Sequence, residues 1–181
     1  MTDNSQQSGV SRRTVTKAMA WAVPAIAVAA PIPAFAASGP KPGLTHGPAC
    51  KAPGGSVQGC ESPFKFGYGV PVTITNPGNK DVWITSISIT NQVPASPVFI
   101  AGSSIGLPVK VPAAVNGVPG SVSFYFRAVS SNSQNVKDGA ITFSAAWGHA
   151  ADGSDHDHDG DPLKFTVTWS STPPGCSCIE A

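Results

Sequence analysis

From residue 64 to residue 74 every second residue is apolar: Phe64, Phe66, Tyr68, Val70, Val72 and Ile74 alternate with Lys65, Gly67, Gly69, Pro71 and Thr73. A period of two sends successive side chains to opposite faces, so this stretch is expected to be a strand with one buried face. Pro71, on the outward phase, points to an edge position or a bulge. Asn76-Pro77-Gly78-Asn79 reads as a turn. The alternation returns in Trp83, Thr85, Ile87 and Ile89, in Leu107, Val109 and Val111, and in Val122, Phe124, Phe126 and Ala128. It recurs in Ile141, Phe143, Ala145 and Trp147, and finally in Leu163, Phe165, Val167 and Trp169. Turn-rich segments at 93–97, 113–121, 130–139 and 148–162 separate these runs. No segment after Ala37 repeats with helical period, and 19 glycines with 18 prolines in 181 residues disfavour long helices. The expected fold is an all-β, antiparallel sandwich of about seven strands, the seventh being short and lying between Leu44 and Pro63.

The N-terminal part follows a different rule. Arg12 and Arg13 precede Lys17 and an uncharged, Ala- and Val-rich stretch from Ala18 to Ala37, which is the charged and apolar pair of regions of an export signal. Pro24, Pro31 and Pro33 keep that stretch only mildly apolar, which favours the twin-arginine route, with the twin-arginine translocase as partner during export. Ala34 and Ala36 flank Phe35 as an A-x-A cleavage site. The expected organisation is a signal peptide over 1–36, an extended spacer over 37–48 and one domain over 49–181. The expected place is outside the cytoplasmic membrane, secreted or at the cell surface. A retained anchor is the alternative to cleavage; once cut, no membrane attachment is expected.

Without the leader, eight bases face nine acids and the bases are scattered, so nucleic acid is not an expected partner. Cys50, Cys60, Cys176 and Cys178 all fall in the mature part, and an even count in an exported chain reads as two disulfides. A ring between Cys176 and Cys178 would be strained, so each is expected to bond back to Cys50 or Cys60.

The leader, from Ser11-Arg12-Arg13-Thr14-Val15-Thr16-Lys17 to Pro33-Ala34-Phe35-Ala36, resembles those of twin-arginine-exported surface proteins of actinobacteria. The mature part is similar to the small Ig-like domains that follow such leaders, with Thr75-Asn76-Pro77-Gly78-Asn79 matching an Asn-x-Gly-Asn turn of bacterial Ig-like modules. The resemblance covers Phe64 to Trp169 and implies a fold and a location rather than a reaction. Two features depart from it: the inter-sheet cysteine pair of antibody domains is missing, and the loop before the last strand is unusually acidic.

That loop holds His149, Asp152, Asp155, His156, Asp157, His158, Asp159 and Asp161. Asp155-x-Asp157-x-Asp159-Gly160 has the spacing that points alternate carboxylates at one calcium ion, with Asp161 as a further donor. The twelfth position of such a loop, Thr166, is not the bidentate acid that calcium requires. His149, His156 and His158 with an aspartate would instead suit zinc, copper or nickel, and in an extended arm His156 and His158 would share a side. The third reading is a solvated tip whose charges keep an exposed edge from pairing.

Catalysis finds less support. No G-x-S-x-G elbow is present, no glycine loop carries a phosphate-binding lysine, and the mature part has no methionine for a blue-copper site. His46 reads as an idle spacer residue, Trp83, Trp147 and Trp169 as inward core, and Tyr125 with Arg127 as an outward pair able to touch a ligand. The expected function is therefore a non-enzymatic surface or secreted module contacting a cell-wall glycan or another surface protein. A metal-binding protein built on 149–161 is the alternative, and an exported hydrolase the third.

Overall fold

A computed structural model describes residues 39–52, 54, 65–131 and 133–176; the leader with Arg12, Arg13, Ala34 and Ala36, and also Cys60, Phe64 and Cys178, lie outside the described residues. Among those described, all regular structure is β. The strands are β1 (Gly43–His46), β2 (Cys50–Lys51), β3 (Gly67–Asn76), β4 (Val82–Val93), β5 (Ile100–Ser103), β6 (Val109–Val111), β7 (Gly120–Val129), β8 (Gly139–Gly148) and β9 (Leu163–Trp169). They form two antiparallel sheets, one ordered β1-β3-β7-β5 with β2 also on β3, the other β6-β4-β8-β9. The order β1-β3-β7-β5 against β4-β8-β9 is that of a seven-stranded Ig-type sandwich, to which β2 and β6 are additions.

The period-two runs explain which face of each strand is covered. Tyr68, Val70, Val72 and Ile74 of β3, Phe124, Phe126 and Ala128 of β7, and Ile141, Phe143, Ala145 and Trp147 of β8 are all buried in one core. Phe126 spans the two layers, with its ring 5.5 Å from Phe143 and 5.6 Å from Phe165. Fully burying one such ring contributes about 1.5–3 kcal/mol. Gly67 opens β3 at φ 114°, where a Cβ would stand 1.9 Å from the Ala128 carbonyl oxygen, so only glycine lets the two strands meet there.

Four expectations are corrected. The rhythm of β4 breaks at a bulge between Ile84 and Ser86. Val82 and Ile84 point inward before it, and Ile87 and Ile89 pack on the core after it. Trp83 is thereby turned outward, with the Lys110 ammonium 5.8 Å from its ring centre. The spacer over 37–48 is not wholly extended linker, because Gly43–His46 pairs in register with Val72–Thr75. His46 is not idle: its ring stacks on Phe165 at 4.6 Å. Arg127 is only 6 % exposed. It lies between Gly69 and Gly102 in the sheet, at the end of the outer face where Cys50, Ala52, Tyr125, Val129 and Cys176 cluster.

Cys50 and Cys176 form a disulfide that closes a loop across 126 residues. The backbone reinforces it, as the amide of Lys51 donates to Pro174 O at 2.8 Å and that of Cys176 to Lys51 O at 2.7 Å. The C-terminal end of the described chain is thus tied to β2, in keeping with the expected bonding of Cys176 back to Cys50 or Cys60.

Two substitutions test the core. Phe143→Ala is expected to cost about 3–5 kcal/mol in urea unfolding, from lost burial and the cavity left behind. Tyr68→Phe is expected to cost about 1–3 kcal/mol, because the buried hydroxyl accepts the Val136 amide at 2.8 Å and its loss leaves that amide without a partner.

Candidate metal centre

β8 delivers the site. Trp147 and His149 share one phase of the strand, so the side chain two residues beyond a core tryptophan emerges at the rim of the sandwich. The loop that follows then turns back on itself, with the amide of Asp159 donating to His156 O at 3.3 Å and that of Asp161 to His158 O at 3.0 Å. These tight turns, in place of an extended arm, send His156 and His158 to different sides. His156 is exposed and pairs with Asp159 at 2.9 Å. His158 is 6 % exposed and stacks on the Trp147 ring at 3.7 Å between centroids.

His149, Asp155 and His158 converge, each placing one ligand atom within 4.8 Å of the other two. Their roles follow from their partners. His149 Nδ1 lies 2.9 Å from the carbonyl oxygen of Asp81. A carbonyl can only accept, so Nδ1 carries the proton and Nε2 keeps its lone pair for another group. Asp155 accepts the amide of His149 on Oδ2 at 2.6 Å and that of Asp157 on Oδ1 at 3.0 Å, which fixes its carboxylate in place. His158 Nε2 is buried and meets no hydrogen-bond partner among the described residues. A buried polar nitrogen left without a partner costs about 1–3 kcal/mol.

The other acids of the loop do not join this group. Asp157, Asp159 and Asp161 are exposed. Asp159 is engaged by His156, and Asp161 by Lys41, whose ammonium also donates to Pro162 O at 3.3 Å. The alternate-carboxylate arrangement that calcium needs is therefore not formed: among the described residues Asp155 is joined by two histidines and by none of Asp157, Asp159 and Asp161.

Supporting contacts come from residues distant in sequence. Asn76 is fully buried, donates through Nδ2 to Lys80 O at 2.7 Å and accepts the Gly78 amide on Oδ1 at 2.9 Å, shaping the turn that presents Asp81. The Asp81 carboxylate pairs with Lys110 at 2.6 Å and accepts the Ala113 amide at 2.9 Å. The Trp147 indole donates to Asp161 O at 2.9 Å. Gly39 lies beside the same imidazole, where a Cβ would stand in ordinary contact 3.6 Å from His149 Nε2. Among these, only the shared phase of Trp147 and His149 had a sequence signal; the Asp81 carbonyl and Gly39 had none.

Hydrogen bonds set the charges. Lys110, then the Ala113 amide, hold the Asp81 carboxyl below the ordinary carboxylate range. The His149 amide, then that of Asp157, and the nearby His158 and His149 do the same for Asp155. The hydroxyl of Ser154, then its amide, lower Asp152.

The fold and the site together define an all-β, disulfide-bonded sandwich with a His-Asp-His cluster at the rim of one sheet. No protein-family model matches the chain, and no curated protein matches it at a significant level.

The depressed carboxyls make an acid-sensitivity prediction. A carboxyl lowered on folding contributes stability that is complete above its unfolded value, about 3.9, and is lost as pH falls through the folded one. Stability in metal-free buffer is expected to decline as pH falls below about 4, with Asp81→Asn removing part of the decline. Urea midpoints measured across that range check it; a midpoint that rises on acidification contradicts it.

Proposed function

We propose that this chain is an exported metal-binding protein that holds a divalent transition-metal ion, zinc or copper, through His149 Nε2, His158 Nε2 and an Asp155 oxygen. The observation that carries this reading is the buried, partnerless Nε2 of His158 beside two other donors. An ion there would satisfy the nitrogen that protein groups leave unsatisfied. Imidazole and carboxylate are the donor types of zinc and copper, and the contact from the Asp81 carbonyl to His149 is the outer-shell hydrogen bond that orients a ligating histidine.

The fit calls for a small closure. Donor atoms on a tetrahedral zinc ion lie about 3.4 Å apart given bonds near 2.1 Å, whereas these three lie within 4.8 Å. The loop would tighten by about an ångström, carried by the turn residues rather than by the strands. Export is supported by the leader and is compatible with the disulfide, since such bonds persist in oxidising compartments.

Thermal unfolding with added metal tests the reading. Zinc or copper at a hundredfold its dissociation constant is expected to add about 2.7 kcal/mol and to raise Tm in a concentration-dependent way, while calcium leaves Tm unchanged. His158→Ala is expected to abolish the shift. Copper should also quench Trp147 emission, because the indole stacks on a ligating ring. An unchanged Tm with both zinc and copper, or a full shift in His158→Ala, would refute the assignment.

A further inference from the structure

A second surface lies on the outer face of the β1-β3-β7-β5 sheet, on residues that take no part in the metal centre. Thr45, Thr73 and Ser123 stand opposite one another across β1, β3 and β7, and Thr75 and Ser121 form the adjoining row. Thr45, Ser121 and Ser123 are exposed and Thr73 and Thr75 half-buried, so both rows present hydroxyls to solvent. Thr73 Oγ1 and Ser123 Oγ are 2.8 Å apart and share one hydrogen bond, leaving each oxygen further capacity. Beyond them Pro71 and Tyr125 pair in the next row and supply flat apolar surface.

Thr45, Pro71, Thr73, Ser123 and Tyr125 line a groove of about 500 Å³, within the range of sites that take small ligands. No lysine, arginine, aspartate or glutamate lines it. The chemistry offered is a ladder of neutral donors and acceptors beside an aromatic ring and a proline.

We infer that this groove binds a neutral glycan. A polyol presents hydroxyls at short intervals and apolar C–H faces, which matches the hydroxyl rows and the Tyr125–Pro71 wall; Tyr combines such a face with a polar tip. Charge complementarity selects the occupant. An acidic polymer would meet no cation in the groove and a basic peptide no anion, whereas an uncharged chain loses no ionic solvation on entering. An extended peptide would seek a free strand edge for its backbone bonds, and this groove lies on a sheet face. The opposite face of the sandwich also carries hydroxyls, including Ser88, Thr142 and Thr166. It supplies the internal control.

The test uses the mature, disulfide-bonded chain in a chelator-containing buffer, so that its outcome is separate from that of metal binding. The protein is mixed with suspensions of cellulose, chitin and an insoluble α-glucan, and depletion from solution is measured. Binding to at least one of the three is expected, weakened about tenfold or more by Ser123→Lys and by Tyr125→Ala, and unchanged by Ser88→Lys on the other sheet. Because Tyr125 also packs near Ala52, Tyr125→Ala counts only where its Tm matches the parent. Ser123→Lys, at an exposed position, keeps the test decisive if it does not. Failure to bind any of the three polysaccharides, or equal binding by Ser123→Lys, would overturn the inference.

Discussion

Contact of Phe126 with Phe143 and Phe165 across the layers is the interaction on which the rest of the fold hangs. Phe143 and Phe165 stack at 5.3 Å and sit opposite each other on β8 and β9, so one ring from the facing sheet locks the register of both strands. A one-residue slip would turn the whole apolar set of either strand to solvent. With β8 and β9 fixed, the positions from which the acidic loop leaves and returns, Gly148 and Leu163, are fixed as well. His46 stacks on the outer side of Phe165, which ties the first edge strand to the same cluster across the gap between the sheets.

The loop is arranged by a division of labour among its charged groups. Asp155 and Asp152 each accept an amide two residues ahead, the local bond that makes aspartate a turn former. Asp155 has a second task, since its other oxygen takes the amide of His149 and brings the turn under the end of β8. Lys41 draws Asp161 to the segment that precedes β1. With the acids so employed, the one side chain driven inward is His158, whose ring gains the indole face of Trp147. Its nitrogen pays the desolvation cost of that burial. The site is thus a consequence of how the turn is built.

The sheets were legible because burial of one face leaves a period of two in the sequence. Tyr68 to Ile74, Phe124 to Ala128 and Ile141 to Trp147 all stand where the alternation puts them. The same rule misled at Trp83, since a bulge adds a residue to one strand without a local signature in side-chain polarity. β1 was foreseen only within a short seventh strand between Leu44 and Pro63, for a related reason: Gly43 and His46 at an edge bury little, so pairing is decided by the backbone of β3 and leaves no apolar stripe. In the loop, the residue types announced a cluster of histidine and aspartate, of which His149, Asp155 and His158 come together and His156 does not. His156 and His158 would share a side only on an extended chain, and the choice between arm and turn was made by Asx-type hydrogen bonds. The Asp81 carbonyl illustrates a further limit: main-chain groups contribute to a site without regard to which residue carries them.

What separates this loop from the sheets is the range of its bonds. Within 149–161 the hydrogen bonds run between residues two, three or six apart, as in Asp152 to Ser154, Asp159 to His156 and Asp155 to His149. Its ties to the rest of the domain are few: His149 to Asp81, Trp147 to Asp161, and Lys41 to Asp161 and Pro162. Segments held by short-range, solvent-near bonds open at lower free energy than core strands, which here are locked by the phenylalanine cluster. A ligand that joined His149, at the end of a rigid strand, to Asp155 and His158, on the adaptable turn, would therefore order the turn without straining the sandwich. The free energy of that ordering would come from the imidazole nitrogen that burial has already stripped of water.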